Sequence, residues 1–89
     1  MNRHALQNLA DRCSEWDGDN ETFSALIRDY LKITGKPPRV LAKEFEYSLS
    51  EISRWASGES TPRPHFQAYV VRQLEEFLTS LLGTSKQTC

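Results

Sequence analysis

The glycines and prolines of this 89-residue chain separate short segments whose apolar residues repeat with helical period, and this pattern constrains the fold most. A glycine directly after an apolar helical stripe is a typical helix end, and proline is not tolerated in a helix interior. No segment shows a convincing alternation of apolar and polar residues, the pattern of a half-buried strand. We therefore predict an all-α fold, a compact five-helix bundle.

The apolar stripes and the breaks between them set the boundaries of the predicted helices. The predicted helices cover residues 2–16, 21–33, 39–45, 48–56 and 64–82. Ser48 and Glu51 match the S-x-x-E pattern of a capping box at the start of the fourth helix. We expect a single domain over residues 1–83, because a chain of this length has room for one core, and a flexible polar tail over residues 84–89.

Composition excludes several classes of function. The two cysteines, Cys13 and Cys89, are too few and too far apart for a disulfide framework or a zinc site. No carboxylate pair, nucleophile set or phosphate-binding glycine loop is present, so we predict no enzymatic activity, cofactor, metal or small-molecule ligand.

No apolar run approaches the roughly 18 residues of a membrane span, and residues 1–5 lack a signal-peptide pattern. We therefore expect a cytoplasmic protein without a membrane partner.

The most informative segment is residues 38–58, where two short predicted helices are separated by three residues. Ala42 is small enough for the two helices to cross closely, and Tyr47 can fill the space beneath the turn. Ile52 and Trp55, three residues apart, place one face of the second helix on the core. The opposite face is then exposed and polar, which is what a helix-turn-helix requires.

Residues 41–58 resemble the helix-turn-helix of the lambda-repressor-like superfamily, which includes the phage repressor, Cro and XRE-type regulators. The matching residues are Leu41, Ala42, Tyr47, Ser48, Ile52, Ser53, Trp55, Ser57, Gly58, Pro62 and Pro64. The resemblance extends over residues 23–82. It implies a sequence-specific transcriptional regulator of bacterial or phage type that binds double-stranded DNA.

The resemblance also implies which residues contact DNA, with the helix over residues 48–56 lying in the major groove as the recognition helix. The candidates for base contact are Ser48, Leu49, Ser50, Glu51 and Arg54. Leucine can contact a thymine methyl, and arginine can pair bidentately with guanine. The candidates for phosphate contact are Arg39, Lys43, Ser57 and Arg63.

Three features depart from the family pattern. Glu46 occupies the turn position where the family has glycine, and a non-glycine residue in a left-handed turn costs on the order of 1 kcal/mol. Pro38 replaces a phosphate-contacting glutamine, for which Arg39 is the nearest substitute. Residues 1–20 add an N-terminal helix and turn outside the core pattern.

The formal net charge of −1 is unevenly distributed along the chain. Residues 1–27 carry two basic and five acidic side chains, whereas residues 28–63 carry seven basic and five acidic ones. The basic excess therefore coincides with the predicted helix-turn-helix. It is small, so we expect few phosphate contacts and a shallow salt dependence of DNA binding.

The last predicted helix is more apolar than one small core requires, and this favours a homodimer. The candidate interface residues are Tyr69, Phe77 and Leu81. One alternative is that the apolar face of the last helix is completely buried against the N-terminal helix of the same chain. A second alternative concerns function: a protein-interaction module that binds a partner protein through the last helix and the acidic N-terminus.

Overall fold

The computed structural model describes residues 3–83, and within them the chain forms α-helices and no strands. The helices are α1 (Arg3–Ser14), α2 (Asn20–Thr34), α3 (Pro38–Phe45), α4 (Leu49–Ser57) and α5 (Pro64–Leu81). The predicted all-α class is confirmed, and each helix end lies within one or two residues of its predicted position. The tail predicted for residues 84–89 lies outside the described part. Within that part, no helix combines the length and apolar character that crossing a membrane requires.

The helix ends follow from local sequence chemistry. The Asp19 carboxylate accepts a hydrogen bond from the Thr22 backbone N–H at 3.0 Å, which caps the N-terminus of α2. At its C-terminus, Gly35 adopts a left-handed conformation with φ of 71°, and its N–H donates to the Leu31 carbonyl at 2.9 Å. These caps satisfy backbone groups that have no partner inside the helix.

The five helices share one apolar core. The buried apolar residues are Leu6, Leu9, Ala10, Cys13, Phe23, Leu26, Ile27, Tyr30, Leu41, Ala42, Phe45, Ile52, Trp55, Val70, Val71, Leu74, Leu78 and Leu82. The most extensive helix pair is α1 with α5, while α2 packs on α4 and α3 packs on α4. The added N-terminal helix is therefore an integral part of the core.

Polar contacts fix the helices around this core. The Arg12 guanidinium on α1 forms a salt bridge with the Asp29 carboxylate on α2 at 2.9 Å. The buried Gln67 side chain on α5 donates to the Asn20 side-chain oxygen at 2.9 Å and to the Pro62 carbonyl at 2.8 Å. These bonds link the start of α2 to the loop that precedes α5.

Most of the apolar stripe of α5 is buried within the chain, against α1 and α2. Phe77 is partly buried, with its ring centroid 6.4 Å from that of Tyr30, so it belongs to the intrachain packing. Tyr69 and Leu81 remain 49% and 38% exposed. Twelve helical residues separate these two by roughly 18 Å along the axis and about 120° around it. The three interface candidates therefore do not form one continuous exposed face, and a homodimer remains a prediction.

Candidate nucleic-acid interface

The turn between α3 and α4 depends on an unusual backbone conformation at Glu46. Its φ is 60°, and among the described non-glycine residues it alone has a positive φ. This left-handed residue reverses the chain, so that the Tyr47 N–H donates to the Ala42 carbonyl at 2.9 Å. Glu46 therefore has the left-handed conformation expected at this turn position, although it is not a glycine.

The two helices are anchored by residues on their inner faces. Leu41, Ala42 and Phe45 of α3 are buried, as are Ile52 and Trp55 of α4. The three-residue spacing of the α4 anchors leaves its opposite face exposed to solvent.

Tyr47 is less buried than the sequence predicts. It is 37% exposed, so it does not fill an enclosed space beneath the turn. Its ring packs edge-on against Trp55 at a centroid distance of 4.9 Å and against Phe66 at 5.3 Å. It still fastens the turn to α4 and α5.

Ser48 caps the N-terminus of α4. Its side-chain oxygen accepts a hydrogen bond from the Glu51 backbone N–H at 3.2 Å. Among the described residues, the Glu51 carboxylate accepts no hydrogen bond from the Ser48 backbone N–H, so the predicted capping box is only half formed. Because the cap uses the hydroxyl as an acceptor, its proton is still available for a ligand.

The outward face of α4 brings together most of the candidate base-contact residues. Leu49 is 52% exposed, and Ser50, Ser53 and Arg54 are also exposed. Ser50 and Arg54 are four residues apart and therefore lie on the same side of the helix. Among the described residues, the Arg54 guanidinium has no salt-bridge or hydrogen-bond partner. Glu51 is half-buried, so it is less accessible than the other candidates.

Ser57 has a structural role at the end of α4. Its hydroxyl donates to the Arg54 carbonyl at 3.1 Å and accepts a bond from the Glu59 backbone N–H at 3.3 Å. Since a serine hydroxyl has one proton, Ser57 could donate to a phosphate only by giving up the first bond. Of the four candidate phosphate contacts, it is the one whose donor is already used.

The other three phosphate candidates are exposed cations. Arg39 and Lys43 are four residues apart on α3 and share one side of it, and Arg63 directly precedes α5. In the described part of the chain, none of these three side chains takes part in a salt bridge. Their positive charges are therefore uncompensated and available to an anionic ligand.

Arg28 also belongs to this region, although the sequence does not predict its role. Its guanidinium donates to the Ala56 carbonyl at 3.0 Å, which places a cation at the C-terminus of α4. It lines a depression together with Ser57 and Gly58. No sequence signal marks this role, because the bond depends on how α2 packs against α4.

Within residues 3–83, the two side chains with clearly shifted pKa values lie in the core. Burial, with a smaller contribution from the Glu75 carboxylate, raises the pKa of the Cys13 thiol to about 12, against a small opposing effect of Arg12. Burial and the Glu44 carboxylate raise the pKa of the Tyr30 hydroxyl. Both groups stay neutral at physiological pH, as their burial requires.

Comparison with known protein families, curated proteins and solved structures found no match for this chain.

Proposed function

We propose that this protein is a sequence-specific regulator of transcription that binds double-stranded DNA through a lambda-repressor-like helix-turn-helix formed by α3 and α4. The observation that carries the proposal is the division of α4 into two faces. Ile52 and Trp55 hold one face in the core, while Ser50 and Arg54 stand unpaired on the other. A short, firmly anchored helix with an exposed polar face suits insertion into the major groove.

The chemistry of this face fits readout of base edges. The major groove of B-DNA is about 12 Å wide and admits an α-helix. Arg54 can donate two parallel hydrogen bonds to the O6 and N7 atoms of guanine, and the Ser50 hydroxyl can donate or accept. The exposed Leu49 side chain can pack against a thymine methyl group.

The cations outside α4 supply the expected backbone contacts. Arg39, Lys43 and Arg63 are exposed and carry no intrachain partner among the described residues. Three such contacts give modest affinity for one protomer, because each neutralised phosphate contributes separately. We therefore propose a homodimer on a two-fold symmetric site, which doubles the number of contacts.

Selection of bound sequences from a pool of random DNA duplexes at low salt tests this proposal. We expect enrichment of one motif whose two halves are related by two-fold symmetry, with guanine at the position that Arg54 reads. A motif without symmetry would contradict the dimer, and the absence of any retained duplex would contradict DNA binding. The absence of any retained duplex would favour the alternative function, a protein-interaction module that binds a partner protein.

A further inference from the structure

A groove lies between the C-terminal end of α3 and the first turns of α5. It has a volume of about 390 Å³ and is lined by Glu44, Phe45, Glu46, Phe66 and Tyr69. We name it the acid-aromatic groove. None of these five residues is a candidate for DNA contact. Tyr69 is a candidate for the dimer interface, but its exposed face is assigned below to a different partner.

The wall of the acid-aromatic groove is a cluster of three aromatic rings. The Tyr69 centroid lies 6.0 Å from that of Phe45, with the rings nearly perpendicular, and 5.5 Å from that of Phe66. Phe45 is buried and Phe66 is partly buried, so the base of the cluster is fixed by the core. Tyr69 remains half exposed despite both contacts, which leaves aromatic surface open to a ligand.

Two carboxylates contribute negative charge to the same groove. Glu44 and Glu46 flank Phe45 in the sequence, and both are exposed. Within the described residues neither carboxylate has a salt-bridge partner. The groove therefore combines open aromatic surface with negative charge that no cation of the described chain neutralises.

We propose that the acid-aromatic groove binds an arginine or lysine side chain of a partner protein. A cation near an aromatic ring is attracted by the electron density of its face, and a guanidinium also forms strong charge-assisted hydrogen bonds with carboxylates. Arginine satisfies both preferences at once, because its planar group stacks and donates in fixed directions. The proposal does not depend on DNA binding by α4.

Other occupants fit the groove less well. A nucleic acid would bring phosphates towards Glu44 and Glu46 and be repelled. A second copy joined symmetrically at this groove would place its own Glu44 and Glu46 opposite the same residues, since a two-fold interface pairs identical surfaces. A purely apolar segment would leave the two charges without a partner.

An NMR titration of the isotope-labelled protein tests the proposal with N-acetyl-arginine amide as the probe and N-acetyl-norleucine amide as its uncharged match. We expect arginine to shift the backbone amide signals of the groove residues with a dissociation constant on the order of 10 mM. Norleucine should shift them at least fivefold less at equal concentration. Added salt should weaken the arginine response, because the carboxylates are exposed.

The double variant Glu44→Gln/Glu46→Gln should reduce arginine affinity at least fivefold. The control variant Glu59→Gln/Glu76→Gln removes the same amount of charge from exposed positions outside the groove. It should leave the affinity for arginine unchanged. Equal amide shifts with arginine and norleucine, or shifts that do not depend on salt, would overturn the proposal. These measurements use the unmodified protein, so they hold even if a variant fails to fold. Groove signals that shift with protein concentration alone would overturn it in favour of self-association.

Discussion

Glu46 shows how a single residue can carry a conformational cost and a charge at the same position. Its φ of 60° lies in the region that favours glycine, and a side chain there costs on the order of 1 kcal/mol. The same residue contributes one of the two carboxylates of the acid-aromatic groove. The conformational cost at Glu46 is therefore consistent with a binding role for its carboxylate in the groove.

Glu46→Gly should raise the free energy of unfolding by about 0.5–1 kcal/mol, because glycine adopts the left-handed conformation without steric strain. Urea denaturation measures the effect. Glu44→Gly is the matched control and should lower stability by about 1 kcal/mol, since Glu44 lies inside α3. Equal destabilisation by both substitutions would contradict the assigned strain.

Cys13 should be inert in the folded protein. Its raised pKa keeps the thiol protonated at pH 8, and only the thiolate reacts rapidly with iodoacetamide. In a Cys89→Ser variant, we expect no alkylation at pH 8 in native buffer and rapid alkylation in concentrated urea. Fast reaction under native conditions would contradict the burial of Cys13.

The same shift makes stability depend on alkaline pH. The unfolded thiol loses its proton from about pH 9.0, whereas the folded one holds it to about pH 12. The unfolded state is therefore favoured progressively as pH rises between these values. In urea denaturation a Cys13→Ala variant should lose less stability over this interval than the native chain, and an identical loss would contradict the linkage.

At the scale of helices, the sequence predicts the elements well because glycine, proline and capping residues mark their ends. It predicts the core faces of α3 and α4 from the spacing of Leu41, Ile52 and Trp55, all of which are buried. It misses contacts that depend on helix packing, such as the bond from Arg28 to Ala56. The sequence also does not predict the acid-aromatic groove, because the groove residues come from two helices whose relative position the sequence does not specify.

The half-formed capping box predicts unequal effects at the start of α4. Ser48→Ala should lower the free energy of unfolding by about 1 kcal/mol, since it removes the acceptor for the Glu51 N–H. Glu51→Ala should lower it by at most a few tenths of a kcal/mol, because only the weaker interaction of its charge with the helix dipole is lost. Thermal unfolding of both variants checks this order, and a larger loss for Glu51→Ala would show that the reciprocal bond forms in solution.

At the scale of the whole molecule, the net charge of −1 conceals a separation of charge along the chain. The basic excess lies in residues 28–63, which contain α3 and α4, and the acidic excess of residues 1–27 lies mainly in the turn between α1 and α2. Such a protein has little general attraction for nucleic acid, so in the proposed complex we expect discrimination between DNA sequences to come from a few base contacts.

The salt dependence of DNA binding should reflect these few contacts. With Arg39, Lys43 and Arg63 each neutralising one phosphate, the plot of log affinity against log salt should have a slope of about −3 for a protomer and about −5 for a dimer. Fluorescence anisotropy over a range of salt concentrations measures the slope. A slope steeper than about −8 would mean that cations outside the proposed interface contact the backbone.

The most direct test of the central claim compares two arginine substitutions on the selected duplex. Arg54 lies on the outward face of α4, whereas Arg72 is an exposed arginine of α5 outside the proposed interface. Arg54→Ala should weaken binding by about 10-fold to 100-fold and relax the preference for guanine at one position, while Arg72→Ala should leave both unchanged. Equal affinities for the two variants, with the guanine preference intact, would show that α4 does not read DNA.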